Sequence, residues 1–156
     1  LAELVGDVIE GERLAVGDAD ISFSEDIPAT MTVRADPEQM HRVLLNLVRN
    51  ARQAISATGN PGEISVRGEE TEDAWMIRVT DTGPGLPKKA QEHLFTAFQG
   101  GTRNGGAGLG LVISAELVRG HGGWLSLEQT GPEGTHFVIH LPRRPDAMRA
   151  PEPRAA

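Results

Sequence analysis

NGGAGLGLVISAELVRGH, residues 104–121, carries glycines at the alternating positions Gly106, Gly108 and Gly110, followed by Val112, Ile113, Ala115, Leu117 and Val118 at helical spacing. The pattern predicts a flexible loop that ends on a helix N-terminus. Such a junction presents unpaired backbone N–H groups and the positive end of a helix dipole, which suits a phosphate, and glycine lets the backbone come close to it. A purely structural turn fits the same residues. What separates the two readings lies upstream, in a second glycine turn, Asp81-Thr82-Gly83-Pro84-Gly85, and in an asparagine pair, Asn46 and Asn50.

The asparagines sit on a strong helix signal that starts with Asp36 as N-cap, Pro37 at the first helical position and Gln39 at the capping-box position. At 100° per residue, Met40, Val43, Leu44, Leu47, Ala51, Ala54 and Ile55 share one face, and Asn46 and Asn50 lie one turn apart along its edge. Asparagine is a poor helix former, so two of them inside a good helix point to a requirement other than helicity. A solvated polar flank is the alternative.

Ala74–Thr80 alternates as a strand, AWMIRVTD, and runs into the glycine turn with Asp81 as its last residue. An acid at a strand end, followed by glycines that permit unusual backbone angles, is placed to accept a hydrogen bond inside a cleft. A capped turn is the plainer reading. Gly62–Gly68 predicts a partner strand across the acidic turn 69–73, and Trp124–Gln129 with Thr135–Leu141 a hairpin around Gly131–Gly134. Ile21–Ser24 and Met31–Arg34 also alternate like strands around Pro28. Lys88–Phe98 reads as a short helix, and Gln99–Ala107, with four glycines in nine residues, as a mobile lid.

At 156 residues the chain fits one domain with a real core. The absence of cysteine excludes a disulfide framework and a thiolate zinc site. A net charge of −7 argues against general nucleic-acid binding, which rests on lysine and arginine contacts to phosphates. No apolar run approaches the roughly 20 residues needed to span a bilayer, so no membrane contact is expected of this piece. Leu1, Leu4, Val5, Val8 and Ile9 form an apolar stripe that stops near Gly11 and is too short to stand alone as a helix. Residues 1–18 are therefore expected to end an upstream helix and linker of a longer protein. Residues 143–156, with three prolines and little to bury, are expected to be a disordered tail.

In order, LLNLVRNARQAI, DTGPGLP, LFTAF, GGAGLGL and GTHFVIHLP resemble the N box, first glycine box, phenylalanine box, second glycine box and closing strand of the ATP-binding catalytic domain of bacterial sensor histidine kinases. That family belongs to a superfamily with gyrase, mismatch-repair ATPases and a heat-shock chaperone. The match spans about residues 19–142, and the NARQAI ending is similar to the nitrogen-regulation type. The resemblance implies a two-layer α/β sandwich of the Bergerat type, with a mixed, mostly antiparallel sheet of about five strands and three main helices on one face. ATP would lie between the helices and the lid.

Residue by residue, the resemblance implies that Asn50 holds Mg²⁺ against the triphosphate, with Asn46 nearby. Asp81 would accept the adenine amino group with help from Thr135, and Gly83 and Gly85 would let the base lie against the backbone. Gly106, Gly108 and Gly110 would wrap the phosphates, with Leu109 and Leu111 seating the helix behind them. Two positions depart from the pattern. Gln53 stands where a lysine is common, so one cationic phosphate contact is missing or moved to Arg49 or Arg52, and Arg103 is the lid's only cation and the candidate for the γ-phosphate.

The family phosphorylates a histidine inside a His-Glu-Leu-Arg-Thr-Pro motif on a dimerisation hairpin. His41, His93, His121, His136 and His140 lie in no such motif, so the acceptor is expected outside this fragment. His136 and His140 share a strand face at roughly 13 Å, too far apart to share a metal. The implied function is Mg-ATP binding and γ-phosphoryl donation to that hairpin, in the cytoplasm, for relay to a response regulator receiver domain. The alternatives are a nucleotide-binding scaffold without phosphotransfer and a hydrolysing machine of the gyrase type.

Overall fold

The computed structural model describes residues 1–16, 20–87, 91 and 106–143, and of 106–109 the backbone alone. The expected helix Lys88–Phe98 apart from Gln91, the lid up to residue 105 with Arg103, and the tail beyond residue 143 lie outside the described residues.

The N-cap signal at Asp36 is realised as read: its carboxylate accepts from the Gln39 N–H at 3.0 Å, and Pro37 opens the 20-residue helix α2, Pro37–Ser56. Met40, Val43, Leu44, Leu47, Val48, Ala51 and Ile55 are its buried stripe. Each such aliphatic side chain contributes roughly 1.5–3 kcal/mol of transfer free energy when fully buried, so this face anchors the helix to the sheet. Parallel strands need a crossover element, and α2 supplies it between β1, Ile21–Asp26, and β2, Gly62–Glu70. The remaining strands, β3 (Ala74–Asp81), β4 (Trp124–Gly131) and β5 (Gly134–Pro142), pair antiparallel, giving the order β1-β2-β3-β5-β4. Ile64, Val66, Trp75, Ile77, Val79, Phe137, Ile139 and Leu141 turn inward against the stripe of α2, with α1, Ala2–Ala15, and α3, Gly106–Gly120, completing one core. The fold is the expected two-layer α/β sandwich with a mixed sheet and three described helices.

Two local expectations are corrected. Met31–Arg34 forms no strand: the Met31 N–H closes a turn onto the Pro28 carbonyl, and the Met31 side chain is buried over Gly68, where a β-carbon would come within 2.9 Å of its sulfur. The alternation there marks a loop anchored on a sheet face. Secondly, α1 runs through Gly11 to Ala15. Val5, Val8 and Ile9 join the core, and Glu12, only 3% exposed, ion-pairs with Arg52 and, at 3.5 Å, with Arg49 of α2. Trp124 is half-buried on the helix-free face, stacked on His140 at a 4.5 Å centroid distance. On that face Arg78 is held by Glu69 at 2.8 Å and Glu128 at 3.0 Å, and burial lowers the His140 pKa.

Candidate functional site

The C-terminal end of β3 and the middle of α2 border a cavity of about 210 Å³. Leu47, Asn50, Ala51, Gln53 and Ala54 come from α2, Val79 and Asp81 from β3, Thr135 and Phe137 from β5, Leu111 from α3, and Gly85, Leu86 and Pro87 from the turn after β3. Residues far apart in sequence and singled out for different reasons thus share one wall system: Asn50, Gln53, Asp81, Gly85 and Thr135.

Asp81 is 8% exposed, and its Oδ1 accepts the Gly83 N–H at 2.8 Å. It stands opposite Thr135 in the β3–β5 register, and the Thr135 N–H also donates to the carboxylate. Burial drives its pKa up, and the two N–H donors and nearby His136 offset part of that rise. A β-carbon on Gly83 would lie 3.0 Å from Asp81 Oδ1 and 3.5 Å from Ile55 Cγ1, so any side chain there would crowd the acid. Gly85 has φ +86°, and a β-carbon on it would stand 2.4 Å from the Gly131 carbonyl oxygen. Its glycine requirement therefore comes from docking this turn on the backbone of the β4–β5 hairpin, in addition to lining the cavity.

The two asparagines part company. Asn46 spends both amide hydrogens on α3, on Ser114 Oγ at 3.1 Å and the Gly110 carbonyl at 3.4 Å, with Ser114 fully buried. Asn50 lines the cavity, and its Nδ2 is buried with no hydrogen-bond partner. A buried amide donor without an acceptor is costly, about 1–3 kcal/mol, which makes Asn50 the candidate in this cavity for contact with a ligand atom. The carboxamide can present nitrogen to a phosphate oxygen or, turned by 180°, oxygen to a hard cation.

Gly106, Gly108 and Gly110 lie inside the first turns of α3, which begins at Gly106, where a loop ahead of the helix was expected. The N–H groups of its first described turn are therefore those of the glycine segment itself. The side chain of Leu109 lies outside the description. Arg49 and Arg52 are committed to Glu12, and among the described residues no lysine or arginine lines the cavity. A larger hollow of about 430 Å³ on the helix-free face is lined by Arg67, Arg78 and His136 among others, but its arginines are already paired with Asp26, Glu69 and Glu128.

The family model described as histidine kinase-, DNA gyrase B- and HSP90-like ATPase matches residues 35–145. The chain belongs to this family. It is 40% identical over 127 residues to the sensory histidine kinase/phosphatase NtrB of Salmonella typhimurium, covering 75% of this chain and 35% of that protein. It is 41% identical over 103 residues to the C4-dicarboxylate transport sensor protein DctB of Rhizobium meliloti, covering 66% of this chain and 16% of that protein. The chain thus spans about a third or less of these relatives. Among solved structures it is similar to the nucleotide-free catalytic domain of histidine kinase ThkA, at 30% identity and a TM-score of 0.76 over 95% of both chains. It is also similar to the mycobacterial sensor histidine kinase MprB, at 28% identity and a TM-score of 0.68 over 90% of this chain and 94% of that one.

In this histidine-kinase-type ATPase domain the donor set suits a nucleotide and a hard cation together. Among the described residues no cluster of three His, Asp or Glu side chains could hold a metal, so a cation beside Asn50 would draw its remaining ligands from phosphates and water. No described helix is long and apolar enough to cross a membrane. Three residues of the domain's polar framework escape a sequence reading. Thr130 touches both Leu86 and Thr135, Ser114 holds Asn46, and Glu12 holds the two arginines. Their side chains are ordinary, and only their long-range partners distinguish them.

Proposed function

We propose that this domain binds Mg²⁺·ATP and donates the γ-phosphoryl group to a histidine on the dimerisation hairpin of the same kinase. An aspartate of a response regulator receiver domain then takes the phosphoryl group. The observation that carries the reading is the single cavity bounded by both Asp81 and the unpartnered amide of Asn50. Asp81, with Thr135, accepts the adenine amino group, and Gly83 and Gly85 hold the turn beside it. With its carboxamide turned, Asn50 would hold Mg²⁺ through its oxygen, and the ion would supply neutralising charge for the phosphates. The glycine segment of α3 offers its N–H groups to the same phosphates. The chain's own contribution is positioning and electrostatic stabilisation.

Residues 1–18 fit the end of a helix arriving from the hairpin, residues 19–142 the ATP-binding domain, and residues 143–156 a tail, all within a cytoplasmic portion of the kinase. The test is titration of ADP and ATP with and without Mg²⁺, in wild type and Asn50→Ala, followed by transfer to a histidine hairpin supplied in trans. Mg²⁺ should tighten binding to wild type and leave Asn50→Ala unchanged, and acid-labile phosphohistidine should form only when the hairpin is present. Binding indifferent to Mg²⁺ in both proteins, or phosphohistidine on the isolated chain, would refute the proposal.

A further inference from the structure

A row of polar side chains crosses three strands beside the cavity. Asp81 on β3 is registered against Thr135 on β5, and Thr135 against Thr130 on β4. The Thr130 and Thr135 hydroxyl oxygens are 3.0 Å apart. Thr130 Oγ1 also accepts the Leu86 N–H at 2.8 Å, and Leu86 itself lines the cavity. Immediately beside these contacts, Gly85 packs onto the backbone of Gly131. The glycine turn after β3 is therefore fastened to the β4–β5 hairpin at two adjacent points, one steric and one hydrogen-bonded.

We propose that Thr130 is a positioning residue for recognition of the base: its hydroxyl holds the Leu86 N–H and directs the Thr135 hydroxyl. The proposal rests on the nucleotide reading of this cavity. A hydroxyl has one proton and two lone pairs. By accepting from Leu86, the Thr130 oxygen becomes a better donor, since hydrogen bonds in series polarise one another. Its proton then goes to Thr135 Oγ1, leaving the Thr135 proton available to an acceptor on the ligand. Asp81 is acceptor-only when ionised. The pair so presented, an acceptor at Asp81 and a donor at Thr135, complements a base edge carrying an amine next to an unprotonated ring nitrogen. Adenine has that edge, whereas a base with a carbonyl beside a ring N–H reverses both positions.

The experiment compares wild type, Thr130→Val, Thr130→Ala and Thr130→Ser by calorimetry with ADP, with 1-deaza-ADP, which lacks the ring acceptor, and with inorganic triphosphate, which lacks the base. Removing the hydroxyl should weaken ADP binding roughly tenfold, as expected when the part-buried Leu86 N–H loses its acceptor and the turn beside the base is released, without changing triphosphate binding or the tightening by Mg²⁺. The preference for ADP over 1-deaza-ADP should shrink in Thr130→Val and Thr130→Ala and return in Thr130→Ser. Hydrogen exchange at the Leu86 amide should quicken and recover in the same variants. ADP affinity within twofold of wild type in both Thr130→Val and Thr130→Ala, or equal losses for ADP and triphosphate, would overturn the assignment. If wild type itself fails to bind ADP, it is the nucleotide reading that has failed, and Thr130 falls with it.

Discussion

Replacing Asp81 by asparagine changes the size of the side chain hardly at all and its hydrogen-bonding character completely. The carboxylate accepts the Gly83 and Thr135 N–H groups and keeps lone pairs for a third donor. The amide has one oxygen, so its NH₂ group faces either a backbone N–H or the incoming amine, donor against donor. Hydrogen bonds to a charged acceptor are worth about 1.5–3 kcal/mol, and at about 1.4 kcal/mol per decade the variant should bind ADP roughly 10- to 100-fold more weakly. Apo stability should stay close to wild type. Burial raises the folded-state pKa of Asp81, so the folded protein holds this proton more tightly than the unfolded chain does. The stability that this contributes is present below the unfolded pKa and is lost as pH rises through the folded one, and at neutral pH the ionised acid is a cost to folding. Asparagine carries no such cost, which offsets its misplaced amide. The same shift predicts that wild-type affinity for ADP weakens on acidification sooner than an ordinary aspartate would allow, and that Asp81→Asn loses this pH dependence. Calorimetry with ADP across pH, paired with thermal unfolding, measures all three effects. An affinity within twofold of wild type, or an equal loss for inorganic triphosphate, would refute the reasoning.

Gly85→Ala should weaken ADP binding at least tenfold, because a left-handed φ and a 2.4 Å approach to the Gly131 oxygen force the turn to move; wild-type affinity would show that the turn's fit on the hairpin is unimportant. Glu12→Ala should lower stability by about 1–3 kcal/mol in urea unfolding, less than the loss of a fully buried pair because Arg49 is half exposed; a change under about 0.5 kcal/mol would mean that the pair is idle. ATP hydrolysis should be very slow, since Asn46, one turn before Asn50, is a neutral amide without useful basicity whose hydrogens are occupied by Ser114 and Gly110. Phosphate release at or above ~1 s⁻¹ that is abolished by Asn50→Ala would favour a gyrase-type machine.

Most of the sandwich follows from local patterns. The α2 cap, its apolar stripe and the strand β3 ending on Asp81 depend on neighbours within a few residues, and all three form as the spacing predicts. The misses share a physical cause, namely that a side chain's partner lies on a distant element. Met31 alternates like a strand residue but is held over Gly68 of β2, 37 residues on, and the stripe of α1 stops where a buried ion pair to α2 takes over. Cross-strand register hides Thr130 in the same way, since nothing in LEQTGPEGT reveals that its hydroxyl meets Leu86.

Asn46 and Asn50 make the limit concrete. Both sit one turn apart on the same helix edge, and both are equally poor helix formers. The difference between them is made by α3. Where it passes Asn46 it offers Ser114 Oγ and the Gly110 carbonyl, two acceptors for two hydrogens, and that amide becomes an interhelical tie. At Asn50 it offers Leu111 to the same cavity, an apolar side chain that cannot accept a hydrogen bond, and the amide nitrogen stays buried and unpartnered. A serine in place of an aliphatic residue on one face of α3 therefore ties one asparagine into the fold and leaves the other unpartnered at the cavity, as the proposed ligand contact requires. Ser114→Ala would accordingly free a hydrogen of Asn46, whereas no substitution at Ser114 supplies the acceptor that Asn50 lacks.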